Sequence, residues 1–264
     1  MRIKQLFSAF GNHFAEAIAK KYDLELNNES LKMDEPLFMF GCYGGKQIWR
    51  AITHSAGGQM TVICWAGSDA NNPGGFPGVF NQFPNIKHIA ISKWIAADLG
   101  MNALSFYRIP VTPYDHSDIK PEPLGDSIYM YKPDSRVYNG GIYQQVKEAL
   151  PEYNFIESSW GDHTRKEMLD IYKKCFIGLR FTEHDGLSNT VCEMGMMGRY
   201  MVNNGELPNC LHYDSNNISE IVNMIKRASI TMGSMALAKG MSHNVAIYLN
   251  IGDSFLNTEY YESL

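Results

Sequence analysis

The chain has 264 residues, of which 45% are hydrophobic, 19% charged and 12% aromatic. That balance excludes disorder and collagen-like repeats and fits one large domain or two small ones. The net charge of −5 is uneven, since the first 120 residues carry 11 Lys and Arg against 10 Asp and Glu, and the remainder 12 against 18; no strongly basic nucleic-acid footprint is present.

In chain order, the apolar positions Phe7, Phe10, Phe14, Ala17 and Ile18 predict a helix over 7–22. Short apolar runs at Leu37–Phe40, 60–65 and 86–91 read as buried strands, with helical patterns over 46–53 and 93–99 between them. A glycine- and proline-rich loop occupies 71–78. Pro110, Pro113, Pro121 and Pro123 mark 110–125 as an inter-domain linker. Strands at 128–131, 154–156, 176–181 and 200–203 then alternate with helices at 142–150, 165–174, 189–198 and 217–229. Residues 242–264 are expected to form a terminal helix that packs back on the first domain. Alternation of this kind predicts an α/β protein with parallel sheets, divided into domains 1–120 and 121–241. In such sheets ligands sit beyond the carboxyl ends of the strands.

No run approaches the roughly 20 apolar residues of a membrane span. Met1-Arg2-Ile3-Lys4 opens no signal-peptide core, so a cytoplasmic protein without a transmembrane segment is expected. Cys42, Cys64, Cys175, Cys192 and Cys210 are odd in number and contain no C-x-x-C pair. They argue against a disulfide framework or a structural zinc and read as buried thiols. His88, His163 and His184 stand alone, and no metal or cofactor is expected.

The segment from Arg180 to Glu193 carries the most chemistry. A strand ends near Phe181, a polar loop with Asp185 and Gly186 follows, and a helix begins around Ser188, which Ser188 or Asn189 is expected to cap. The open N–H groups of such a helix favour a phosphate or other anion. Glu193 lies about two turns further on, so one carboxylate is placed for the head of a ligand and the other for its far end.

Asp185-Gly186-Leu187-Ser188 with Glu193 resembles the E-x7-E signature of GT-B-fold glycosyltransferases that retain anomeric configuration, with Asp185 in the first position. The continuation through Gly198 to Val202 is similar to that family's E-A-x-x-x-G-x-P-V-V stretch, with Tyr200 where Pro is common. Weaker likeness runs through Trp65-Ala66-Gly67-Ser68-Asp69 and 89–94 in the first half. The resemblance implies two Rossmann-like domains in a compact GT-B-like arrangement with a shortened N-terminal domain. It implies that Asp185 and the backbone of Gly186, Leu187, Ser188, Asn189 and Thr190 hold the donor sugar and diphosphate. Glu193 would accept the ribose hydroxyls, and Lys132 or Arg136 would neutralise the diphosphate without a metal.

Asp69 is the candidate to orient or deprotonate the acceptor hydroxyl, although Ser, Asp and Asn in that stretch also suit a turn. Gly44 and Gly45, in Gly41-Cys42-Tyr43-Gly44-Gly45-Lys46, fit either a glycine loop beside the sugar diphosphate or a tight βα turn. The expected activity is transfer of a sugar from a nucleotide-sugar donor, such as a UDP-sugar, to a glycan or other hydroxyl acceptor. Two alternatives stand beside it. One is a phage-type DNA glycosyltransferase acting on a hydroxymethylated base, which would work in the host-cell cytoplasm; the other is a non-catalytic sugar-nucleotide-binding module.

Overall fold

Largely apolar runs four or five residues long build the central strands, and these are buried on both faces, as a parallel sheet covered by helices requires. In the computed structural model, residues 1–8, 12–67, 69–71, 77–131, 140–159, 161–182 and 185–262 are described. The chain divides into two units, Met1–Asp115 with Leu249–Leu264, and His116–Tyr248. The division at Asp115 falls inside the proline-rich stretch 110–125.

The first unit contains β1 (Gln5–Ser8), α1 (Asn12–Tyr22), β2 (Glu25–Leu26), β3 (Leu37–Phe40), α2 (Gly45–Ala56), β4 (Thr61–Trp65), β5 (Ile86–Ala90), α3 (Lys93–Met101) and β6 (Tyr107–Arg108). Its strands form one parallel sheet in the order β2-β1-β3-β4-β5-β6. The predicted helix over 7–22 is corrected here. Residues up to Ser8 are a strand between β2 and β3, and the helix starts at Asn12. Phe7 is buried as a strand residue paired with Met39, and sheet pairing has overridden a local helical period. Most of the loop over 71–78 lies outside the described residues, and residues Pro77–Gln82 form a 3₁₀ turn.

The second unit contains β7 (Ser127–Tyr131), α4 (Gly140–Ala149), β8 (Asn154–Ser158), α5 (Arg165–Lys173), β9 (Cys175–Leu179), α6 (Asn189–Met196), β10 (Tyr200–Val202), β11 (Cys210–Leu211), α7 (Ile218–Ser229) and α8 (Met235–Leu249). Its parallel sheet runs β11-β10-β9-β7-β8. Ile128, Met130, Phe176, Ile177 and Leu179 of the sheet cluster with Val146, Ile221 and Ile225 of the covering helices to make its core.

The expected helix over 242–264 is also corrected. Helix α8 ends at Leu249, Gly252 takes a left-handed φ of 62°, and two short 3₁₀ turns follow. Beyond the helix the chain pairs with the first strand region instead of with itself. Ile3 N–H donates to the Leu256 carbonyl at 2.6 Å and Thr258 N–H to the Met1 carbonyl at 2.8 Å. Phe255 is buried there, with its ring centre 5.2 Å from that of Tyr22 and 5.6 Å from that of Phe38.

Among the described residues, no helix is long and apolar enough to cross a membrane. The cysteines are free thiols; Cys42, Cys64, Cys175 and Cys192 are buried and Cys210 is half-buried.

Candidate functional site

Each sheet has one place where the strand order reverses, and in open α/β sheets that is where ligands bind. In the first unit the chain leaves β1 for β2 on one side and returns to β3 on the other; in the second it leaves β7 for β8 and returns to β9. The loops after β3 and β9 therefore open onto these crevices. They are the loops that carry Gly44 and Gly45 and the stretch from Asp185 to Thr190.

The helices that begin at these two loops differ from others in how they start. Ser92, Thr164 and Asn217 cap α3, α5 and α7 with side-chain oxygens. Gly44 and Ser188, at the N-caps of α2 and α6, make no side-chain cap hydrogen bond. This corrects the expectation that Ser188 or Asn189 caps α6. Ser188 occupies the N-cap position with its hydroxyl turned elsewhere, and Asn189 is already the first helical residue. Among the described residues, no N-cap side chain therefore takes a first-turn N–H of α6, the arrangement that suits anion binding. The Asn189 Oδ1 is buried without a hydrogen-bond partner.

The loop after β9 is held tightly. Arg180 N–H donates to the Val202 carbonyl at 3.1 Å, Asn203 Nδ2 to the Arg180 carbonyl at 3.1 Å, and the Tyr143 hydroxyl takes Phe181 N–H at 3.0 Å. From that anchored backbone the Arg180 guanidinium reaches over the Tyr131 ring, 4.5 Å from its centre, and so spans the switch point between β9 and β7. It also donates to both oxygens of Asp185, at 2.5 and 3.2 Å. Arg180 and Asp185 are an ion pair with side chains only 10% and 12% exposed. The expected sugar-binding carboxylate is therefore held in a fixed direction by a cation five residues earlier.

Glu193 is buried in the second turn of α6. Its Oε1 accepts from Arg165 Nε at 2.8 Å, and Arg165 forks on to Asp118 at 3.1 and 3.3 Å. Burial raises the Glu193 carboxyl above its ordinary range and the Arg165 guanidinium opposes this. Thr190 accepts from the Tyr172 hydroxyl at 3.3 Å, Leu187 is buried, and Gly186 and Ser188 are half-buried. Lys132 and Arg136 lie outside the described residues, as does His184.

The frame around α6 rests on glycines and one arginine. Gly198 takes φ +89°, with its N–H on the Gly195 carbonyl and that of Arg199 on the Met194 carbonyl, which closes the helix. Arg199 is fully buried. Its guanidinium donates to carbonyls of Glu122, Pro123, Tyr172, Lys173, Cys175 and Met197. It thereby ties the end of α5 to residues 122–123 and to the start of β9.

In the first unit, Asp69 is 3% exposed. Its Oδ2 accepts Cys42 N–H at 3.0 Å, and its Oδ1 accepts Gly67 N–H at 2.8 Å and Ala66 N–H at 3.3 Å. Burial raises its carboxyl to about 6 against the pull of these amides. This is where the structure places the acid that the sequence offers as the acceptor-side candidate. The carboxylate points into the loops after β3 and β4 and clasps them together. Gly44 and Gly45 lie in one of the clasped loops, at the start of α2. A side chain at Gly45 would meet nothing within 4 Å, so close packing does not demand glycine there.

Arg165, Arg180 and Arg199 were not singled out from the sequence. Arg165 is 28 residues from Glu193 and Arg199 meets only backbone carbonyls, so neither leaves a spacing signal. Arg180 sits at a strand end beside the motif, the one position that the switch-point rule marks. Among the described residues, no group of three His, Cys, Asp or Glu side chains is arranged to hold a metal ion.

No protein-family model matches the chain, and no curated protein matches it. Solved structures do. The chain is similar to a variant of S. aureus TarM in complex with fondaparinux, alpha-GlcNAc-glycerol and UDP, with a TM-score of 0.61 and 8% identity over 86% of this chain and 55% of that one. A second TarM structure gives a TM-score of 0.62 and 8% identity over 96% and 58%. The apo form of the lipopolysaccharide outer core galactosyltransferase WaaB gives 0.50 and 12%, covering 100% of both chains. The chain thus spans a little over half the length of the TarM structures. At these identities the likeness is one of fold: two Rossmann-like parallel sheets, as in GT-B glycosyltransferases.

Proposed function

We propose that the chain transfers a sugar from a nucleotide-sugar donor to a hydroxyl acceptor, with the donor held by the second unit. The observation that carries this reading is the α6 start. A helix opens at a sheet switch point with no side-chain cap, Asp185 stands just ahead of it, and Glu193 lies buried in its second turn. The diphosphate takes the N–H groups from Gly186 to Thr190, while Glu193 accepts hydroxyls from the ribose. Asp185, aimed by Arg180, receives the sugar hydroxyls.

In the transfer, the bond from the anomeric carbon to the diphosphate oxygen breaks and one to the acceptor oxygen forms. The acceptor proton is released, and the nucleoside diphosphate departs with the electron pair. Charge gathers on that leaving group, and fixed dipoles and cations around it lower the barrier. The α6 terminus and Arg180 supply them, joined by Lys132 or Arg136. Retention of configuration and a glycan acceptor complete the proposal. The likeness in fold to a structure solved with UDP and to a galactosyltransferase supports the reading of sugar transfer from a nucleotide donor.

A panel of nucleotide sugars tests it by melting temperature and by donor hydrolysis. A ligand that raises the melting temperature and is slowly hydrolysed supports a transferase. Stabilisation without turnover favours the non-catalytic binding module, and no stabilisation by any member overturns the donor site.

A further inference from the structure

Glu193 is a buried carboxylate whose use as a hydroxyl acceptor depends on its staying ionised and facing one way. Among the described residues, three groups carry charge or a titratable hydroxyl against it: Arg165 and Tyr172 from α5, and Asp118 from the segment before β7. Of these, Arg165 is the cation. Its Nε holds Oε1, and among the described residues no hydrogen bond is donated to Oε2. Arg165 is itself fixed from both sides. It is the first residue of α5, directly after the reciprocal Thr164–Glu167 capping pair, and its two terminal nitrogens grip the oxygens of Asp118. A planar guanidinium can hold two carboxylates in this way where an ammonium would act as a single point of charge.

We propose that Arg165 is a positioning residue of the donor site, holding one oxygen of Glu193 so that the other meets a ribose hydroxyl, with Asp118 holding Arg165 in turn. The proposal rests on the donor-site reading of Glu193. Desolvation drives Glu193 toward its neutral form, and the nearby guanidinium is what keeps it charged. Without Arg165, Glu193 would titrate higher and lose its fixed orientation.

Carbon-13 side-chain carboxyl NMR of the ligand-free protein, with UDP binding by calorimetry between about pH 5 and 8, tests this in wild type, Arg165→Met and Arg165→Lys. In Arg165→Met the Glu193 midpoint is expected to rise. UDP affinity falls about tenfold near the acid end, and the loss shrinks as the pH rises. Arg165→Lys restores the midpoint and recovers part of the affinity. A Glu193 midpoint unmoved by Arg165→Met overturns the role of Arg165. Failure of the wild type to bind UDP or any other nucleoside diphosphate overturns the donor-site reading and this inference with it. Wild-type binding matched by Arg165→Met overturns the inference alone. Arg165 lies at the helix start with its side chain 32% exposed, so both variants should fold, which circular dichroism checks.

Discussion

The Arg180 guanidinium contacts both oxygens of Asp185 and lies 4.5 Å from the centre of the Tyr131 ring. One side chain thus joins the ends of two neighbouring strands to the acid that begins the Asp185-to-Glu193 motif. The pair is nearly dry, so each member is the other's close partner with little solvent between them. Asp185→Ala should destabilise the protein by about 3 kcal/mol, because it leaves the Arg180 cation buried and uncompensated. The combined Asp185→Ala and Arg180→Met change should recover part of that loss. Urea unfolding of the four proteins measures the coupling; strictly additive losses would show that the pair does not act as one unit.

Gly198 meets two constraints at once. Its φ is +89°, and a Cβ there would lie 2.3 Å from the backbone of Ala238 in α8. Gly58 has φ +90° with nothing within 4 Å of its Cβ position. Gly58→Ala should therefore cost only the left-handed strain, about 1 kcal/mol. Gly198→Ala adds a backbone collision and should cost more than about 2 kcal/mol. Equal shifts in the unfolding midpoint would remove the close approach of α8 as a cause.

Asp69 makes the first unit pH-sensitive in a definite direction. Its carboxyl titrates at about 6 in the folded chain and near 4 when unfolded. Between these values the folded state keeps a proton that the unfolded state has lost, so stability falls as pH rises from about 4 to 6 and levels off above. The span amounts to about 3 kcal/mol. Asp69→Asn should flatten that interval. It should also lower stability at neutral pH, since its amide NH2 would face one of the backbone N–H groups that the carboxylate now accepts. Denaturant unfolding at several pH values checks this, and a slope unchanged from wild type would refute it.

His88 works in the opposite sense. The Trp65 indole N–H donates to its Nδ1 at 3.1 Å, and burial, aided by Lys87, pushes the ring down to about 3. The unfolded chain takes up a proton near pH 6.5 that the folded chain refuses. Stability is therefore full above about 6.5 and is lost as pH falls toward 3, by on the order of 5 kcal/mol. His88→Gln keeps an acceptor for Trp65 without a titrating ring. The difference in acid sensitivity between it and wild type should show this loss; parallel curves would mean that His88 does not titrate between the two states.

Much of the architecture was legible because it is local. The runs at Leu37–Phe40, Thr61–Trp65 and Cys175–Leu179 are largely apolar and buried throughout, which is the pattern of a two-sided parallel sheet. The candidate loop was legible too, since a glycine after a strand and a polar start to a helix are chemical statements about adjacent residues. The first helix was overextended because Phe7 keeps a helical period with its neighbours, and nothing nearby in sequence shows that Met39 will pair beside it.

The sequence by itself determined the alternation of strands and helices, and the position of the acidic motif at a strand-to-helix turn. Only the tertiary structure decided what each acid faces. Asp69 turned out to clasp two loops, Asp185 to be aimed by Arg180, and Glu193 to be held by Arg165. Periodicity and capping act over a few residues, whereas the partner of a buried charge is chosen by desolvation, which depends on elements brought together from anywhere in the chain.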